Sequence, residues 1–414
     1  MAVGGETDDR LSGASLGVPF RWLWGAYTTS LFGTWLAFDS FPLIAVLVLH
    51  VGPAQVSLLA AAGLAVGAVV AVPLGPWVEF RRKRQVMVAM DLVRCGALLT
   101  VPAAYALGAL SFGQLVMVAV IVAAADITFT AAGGACLKGL LPPSQLLVAN
   151  ARFESTMWTA SVVGPPLGGA AVGLLGPVTT VVANAVSFLL SAAGIRAMGG
   201  QEPRPVREKA RAGGGRPRAG ELVDGWRFIL ADPVLRPLFL NTVLVSGLIM
   251  ATAPLVAVLM LGRFGFAPWQ YALAFSVPCV GGLVGSRLSR PLVARYGQRG
   301  VMLTAGTLRV CWPVGMVFVH GGTTGLVLVM GVQFGLITSM GVFNPVYATY
   351  RLQHTPADRL ARTLSAWSVS SKLTVAALTA LWGLLAALTT PLTAVGAAGV
   401  LILATPLLLP RTEG

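Results

Sequence analysis

Apolar runs of about 20 residues, the length of a bilayer-crossing helix, alternate with short polar turns along nearly the whole chain. The pattern predicts twelve spans, over 22–49, 56–78, 86–107, 114–134, 153–175, 178–196, 235–261, 269–292, 301–320, 325–346, 363–388 and 392–409. Strands of a membrane β-barrel would instead give alternating segments of about ten residues. Between spans 2 and 3 the turn 75–84 reads Gly-Pro-Trp-Val-Glu-Phe-Arg-Arg-Lys-Arg. Four consecutive cations cannot enter hydrocarbon, and by the positive-inside rule this turn faces the cytoplasm.

Charge follows the same alternation. With the 75–84 turn inside, Arg263 is the one residue among the 29 Lys and Arg placed on the outer side. That asymmetry predicts a multi-pass protein of the cell (inner or plasma) membrane with both termini cytoplasmic. Residues 1–19 read as a polar cytoplasmic tail. Residues 199–234, with Arg204, Arg207, Lys209, Arg211, Arg216 and Arg218 among Gly and Pro, read as a solvated linker. A short surface helix is expected near 221–230. The linker divides the chain into two six-helix halves, 20–198 and 235–410. A shift of 215 residues superposes the turns after spans 2 and 8, placing Arg84 on Arg299, Val86-Met87 on Val301-Met302 and Arg94 on Arg309. Such similarity points to two related halves, as in transporters built from repeats.

Composition narrows the class further. Apolar residues make up 56% and charged ones 11%, with a mean hydropathy of +0.79, which excludes an ordinary soluble domain. The net charge of +14 does not point to nucleic acid, because the cations sit in turns between apolar runs. Cys95, Cys136, Cys279 and Cys311, and His50, His320 and His354, are scattered with no metal or disulfide spacing. No nucleotide-binding glycine loop or nucleophile–base pair appears. Neither an enzyme nor a cofactor is expected.

These residues resemble the major facilitator superfamily, whose fold is all-α with twelve transmembrane helices in two six-helix halves. The 75–84 turn resembles that family's loop 2–3 signature. Gly75, Glu79, Lys83 and Arg84 fit; Glu79 replaces the usual Asp and Arg82 the usual second Gly. The second-half copy keeps Leu292, Arg295, Gly297 and Arg299, with Ala294 where the acid would stand. The resemblance implies that this loop latches the cytoplasmic face. Gly164, Pro165, Pro166, Leu167, Gly168 and Gly169 in span 5 are similar to the family's exporter signature, without its upstream glycines: Ala160 stands at the nearest position. The pairs Gly164/Gly168 and Gly169/Gly173 offer small-residue faces for close helix contact. The prolines each remove a backbone donor and predict a kink. A seal between the halves and simple close packing both fit. Local phrasing around Asp91–Arg94 and Tyr350–Pro356 resembles a bacterial branch of siderophore and macrolide exporters.

Charged residues inside a membrane are expensive and are functional candidates by default. Asp39 (span 1) and Asp126 (span 4) are the candidates for proton coupling or substrate contact, and each could also simply satisfy a helix contact. Lys372 (span 11) is a counter-ion to a carboxylate or a side chain snorkelling to the interface, the latter slightly favoured. Arg94 and Arg309 lie roughly 15 Å beyond their turns at 1.5 Å per residue. Asp91 shares a helix face with Arg94, and these three read as structural or gating charges. Asn241, Gln333 and Asn344 are uncharged candidates for cavity contacts, and Trp158 and Phe334 apolar ones.

The expected function is secondary active export of a small amphipathic or hydrophobic organic compound by alternating access, driven by inward proton flow. The expected partners are a small-molecule substrate, protons and the lipid bilayer, around a monomer. An importer of a small metabolite in the same fold, or a non-transporting membrane sensor, stays open at this point.

Overall fold

A computed structural model describes residues 16–37, 40–51, 53–79, 81–199 and 223–409. All regular secondary structure among them is helical. Span 1 is broken into α1 (Gly17–Leu36) and α2 (Ser40–Leu47), and span 2 into α3 (Pro53–Ala71) and α4 (Leu74–Glu79). Spans 3–6 are α5 (Lys83–Ala106), α6 (Phe112–Leu140), α7 (Pro143–Leu175) and α8 (Pro177–Arg196). The short helix expected in the linker is α9 (Asp224–Ala231). Span 7 is α10 (Leu235–Ala257), which continues into a π-helical turn. Spans 8 and 9 are α11 (Pro268–Ser276), α12 (Cys279–Cys311) and a 3₁₀ segment, Trp312–Phe318. Spans 10–12 are α13 (Gly322–His354), α14 (Leu360–Leu388) and α15 (Pro391–Ala404).

Among the described residues, eight helices, or nine counting the bent α7, are long and apolar enough to cross a membrane, one of them covering spans 8 and 9 together. Spans 1 and 2 are continuous in hydropathy but not in backbone. Spans 8 and 9 run together through α12, which leaves helical geometry at Gly297 (φ +74°, ψ 158°). That left-handed φ suits glycine, which has no Cβ to clash. The segment 137–150, between the spans expected at 114–134 and 153–175, is largely helical: α6 continues to Leu140 and α7 starts at Pro143. Proline is tolerated there because the first helical N–H has no intrahelical acceptor. Span 5 therefore begins ten residues earlier than the hydropathy pattern suggests.

α5 and α1 pack on α8 in the first half, and α12 on α13 in the second. Across the halves, α14 packs on α3, α4 and α6, while α7 packs on α12 and α13. Side chains that remain exposed, such as Leu174, Leu388 and Val400, form the apolar surface that a bilayer covers.

The buried core is asymmetric end to end. At the end carrying the basic turns, here the linker end, one cluster joins Phe20, Val78, Met87, Leu137 and Leu146 of the first half to Leu352, Leu360 and Leu364 of the second. Toward the other end the halves keep separate cores. One is built on Ile44, Leu59, Leu98 and Phe188, the other on Leu255, Met316, Val329 and Trp382. In α14, Trp382 is the one buried residue over 371–388. The halves are closed at the linker end and part toward the opposite one.

Candidate functional site

Four charges form a chain between the halves. α5 places Asp91 and Arg94 three residues apart, on one face. Arg94 Nη2 donates to Asp91 Oδ1, and Nη1 lies 3.4 Å from Asp126 Oδ1 on α6. Lys372 Nζ on α14 lies 3.3 Å from Asp126 Oδ2. Two acids alternate with two cations, so each charge taken from water has a partner, without which burial would be prohibitive. Asp91 is wholly buried, whereas 47% of the Asp126 side chain is accessible. Lys372, slightly favoured from sequence as snorkelling, is instead the counter-ion to Asp126. Asp39 lies outside the described residues.

The second half carries half of this arrangement. The Arg94 guanidinium lies over Phe129 at 4.5 Å and Phe188 at 4.2 Å. Its repeat counterpart Arg309 lies over Phe343 at 3.6 Å. At the position matching Asp91 the second half has Gly306, and Asp358 is the one acid over 235–409. Arg309 donates instead to Asn241 Oδ1 at 2.6 Å, while Asn241 Nδ2 donates to Thr405 O at 2.7 Å. Asn241, expected as a cavity contact, is fully buried and bonded inside the second half. Gln333 sits half-buried on α13, next to the exposed Phe334.

A second carboxylate site escaped the hydropathy reading. Glu154 on α7 accepts from Trp158 Nε1 at 2.9 Å and from Asn344 Nδ2 on α13 at 2.7 Å. Asn344 is thus an inter-half contact. Ser155 and Ser286 share a hydrogen bond of 2.8 Å beside it. The Trp158 ring fills the space where Gly282 lacks a Cβ: one built there would lie 2.3 Å from the indole. A reading that starts span 5 at 153 leaves Glu154 in the interface. With α7 starting at Pro143 it lies roughly 16 Å along the helix at 1.5 Å per residue.

The linker end is closed by polar contacts. Glu79, ending α4 in the basic turn, pairs with Arg362 of α14, and Arg362 Nη1 lies 2.9 Å from Asp224 of α9. Gly225 lets α9 approach: a Cβ there would lie 2.6 Å from Arg362 O. Trp226 Nε1 donates to Ser370 Oγ at 2.8 Å. Burial pushes the Glu79 carboxyl up to about 6, against the opposing pull of Arg362 and Lys83. Lys138 Nζ donates to Leu352 O at 2.5 Å and to Thr355 O, at the free carbonyl end of α13. Asn150 Nδ2 donates to Thr349 Oγ1 at 2.9 Å.

Within the basic turn, Gly75 lies inside α4 and Arg82 is the extended residue before α5. Lys83 Nζ donates to Val78 O at 2.9 Å and Glu79 O at 2.6 Å, capping α4, and Arg84 donates to Gly199 O. In the second-half copy Arg295 is exposed over Tyr296 at 5.3 Å, and Arg299 is half-buried.

The span 5 glycines face their own half. A Cβ on Gly164 would lie 2.4 Å from Trp35 Cβ, and one on Gly168 2.5 Å from Leu36 O, both on α1. Nothing lies within 4 Å of a Cβ on Gly169 or Gly173. The tight face therefore packs α7 on α1 within the first half. The kink expected from Pro165 and Pro166 is present as a 43° bend between Pro143–Gly164 and Pro166–Leu175.

These features can be set beside known proteins. The chain is 29% identical over 323 residues to the multidrug efflux pump Tap of Mycolicibacterium fortuitum, covering 74% of this chain and 75% of that one. It is 27% identical over 240 residues to the Tap pump of Mycobacterium tuberculosis, a stretch spanning 55% of that relative. Among solved structures, a bacterial homologue of the iron transporter ferroportin, in an outward-facing state, superposes with a TM-score of 0.78. It is 16% identical and covers 94% of this chain and 98% of its own. The human organic anion transporter MFSD10 superposes with a TM-score of 0.70 at 15% identity, covering 94% and 99%. The sequence profile of the Major Facilitator Superfamily matches residues 23–376, and the chain, a multi-pass membrane protein with that superfamily's fold, belongs to it.

Proposed function

We propose that the protein is a secondary active exporter of small amphipathic or hydrophobic organic compounds, working by alternating access and driven by inward proton flow. The observation that carries this is the Asp126–Lys372 pair. A carboxylate with nearly half its surface accessible bridges the two halves, so its protonation removes an ion pair between them. When Asp126 is neutral, Lys372 and Arg94 lose their shared anion and the halves lose an attraction. The likeness to Tap pumps supports efflux as the direction.

In this reading the linker end is cytoplasmic, since the basic turns gather there, and both termini lie on that side of the cell membrane. The closed linker end and parted opposite end make this the outward-facing form. The chain works as a monomer of two halves, 20–198 and 235–410, joined by 199–234. Glu79 with Arg362 and Lys138 with the end of α13 close the cytoplasmic face. The test is efflux of a dye from cells and uptake into inside-out vesicles. Transport that requires a proton gradient and is lost in Asp126→Asn supports the reading. Transport that survives both a protonophore and that substitution overturns it.

A further inference from the structure

Where spans 8, 9 and 10 part beside their basic turn, the second half has a cleft of about 460 Å³. It is lined by Leu292 and Tyr296 at the end of span 8, Thr304, Ala305 and Leu308 on span 9, and Val342 on span 10. A second hollow of about 360 Å³ shares Thr304 and Leu308 and continues to Cys311. From Gly300 to Cys311 the groove follows span 9 for roughly 16 Å at 1.5 Å per residue, and one leaflet of a bilayer holds about 15 Å of hydrocarbon. Thr304, Leu308 and Cys311 are exposed. The opposite face of span 9, through Met302 and Arg309, is buried in the second half, so the groove lies on the outer side of the bundle. Its depth comes from small residues. The 215-residue repeat sets Gly300 and Ala305 against Gln85 and Met90, and Met90 packs on the core of the first half.

The mouth of the groove is cationic. Arg290, Arg295 and Arg299 stand in and beside the turn that joins spans 8 and 9, and no acid occurs over 235–357. Arg295 is exposed, lies over the Tyr296 ring at 5.3 Å and makes no ion pair among the described residues. An apolar groove with nothing in it forfeits dispersion contacts that an alkyl chain restores, and basic sites between helices at a membrane face hold anionic headgroups. We propose that this groove binds one anionic phospholipid of the adjoining leaflet, with an acyl chain along span 9 and the phosphate at Arg295. A small free anion would leave the groove empty, and a zwitterionic lipid would bring its own cation toward Arg295. From the efflux reading this takes only that the basic turn lies at a membrane face. The site belongs to the second half alone, since Gln85 and Met90 occupy the matching positions in the first.

The test is equilibrium binding to the purified, delipidated full chain of phosphatidylglycerol and of phosphatidylcholine with the same acyl chains. The expected result is that wild type binds phosphatidylglycerol at least tenfold more tightly and that Arg295→Gln removes this preference. Thr304→Trp, which fills the groove from an exposed position, should weaken both lipids at least tenfold. Leu308→Trp blocks the groove one turn further along, so the test stands if Thr304→Trp does not fold. Arg81→Gln, which removes an exposed cation from the first-half turn, should change neither lipid. Equal binding of the two lipids by wild type overturns the proposal. So does an Arg295→Gln variant that keeps the preference, and so do groove-filled variants that bind as wild type does. An equal effect of Arg81→Gln and Arg295→Gln marks attraction to basic surface in general and overturns it too. The expected binding in a chain that exports nothing leaves this inference standing and removes the efflux reading alone.

Discussion

Lys372 on α14 reaches Asp126 on α6, placing Nζ 3.3 Å from Oδ2 across 246 residues of sequence. The pair joins the halves, and Asp126 continues through Arg94 to the wholly buried Asp91. In the proposed coupling, protonation of this half-accessible carboxylate removes the ion pair that joins the halves. Asp126→Asn is expected to abolish proton-driven transport at normal membrane expression. Lys372→Gln is expected to reduce transport at least tenfold. The double variant should be no worse than Asp126→Asn, because the two side chains act as one unit. Proteoliposome uptake under an imposed pH gradient measures all three.

The Glu79–Arg362–Asp224 group predicts a shift in conformational balance. Arg362→Ala removes the cation shared by two acids, a loss of about 1.5–3 kcal/mol for charge-assisted hydrogen bonds, and favours opening at the linker end. Cysteines placed at Asn150 and Thr349, whose side chains are 2.9 Å apart here, should then cross-link less in a cysteine-free background. Unchanged cross-linking would show that the group does not hold the halves.

The same carboxylate predicts a pH dependence. Closing the linker end raises Glu79 from an ordinary value of 4.5 to about 6, chiefly by burial. The closed form then binds the proton more tightly than the open form. Closure is accordingly favoured as pH falls from above 6 toward 4.5, and disfavoured as pH rises through 6. The Asn150/Thr349 cross-link should increase over that window in the parent protein. In Glu79→Gln the response should be flat.

Span 5 predicts a contrast between neighbours. Gly168→Leu drives a side chain into Leu36 O, 2.5 Å from the Cβ position, whereas Gly169→Leu enters open space. The first should lower thermal stability and transport together, as overpacking costs about 1–3 kcal/mol. The second should leave both near wild type. Melting temperatures in detergent and dye efflux separate the two outcomes.

Much of the fold is visible in local pattern. Span lengths and the gathering of cations into alternate turns follow from the thickness and dielectric of a bilayer, which act on each segment separately. Asp91 and Arg94 fall on one face because of helical spacing alone, and the match of Arg94 to Arg309 survives in the repeat. The sequence reading failed where the outcome depended on packing. The break after Leu36, the helical 137–150 segment and the burial of Asn241 all reflect neighbours supplied by other spans.

The sequence by itself determined the class of molecule, its division into halves and the types of charge held within the spans. The tertiary structure alone decided which charges meet. Asp126 takes Lys372, Glu154 takes Asn344 from 190 residues away, and Arg309 takes Asn241 and, among the described residues, no acid. The physical reason is register. A one-residue rotation of a helix turns a side chain by about 100°, and that rotation is set by the ridges and glycine notches of the helices packed against it, not by the helix's own hydropathy.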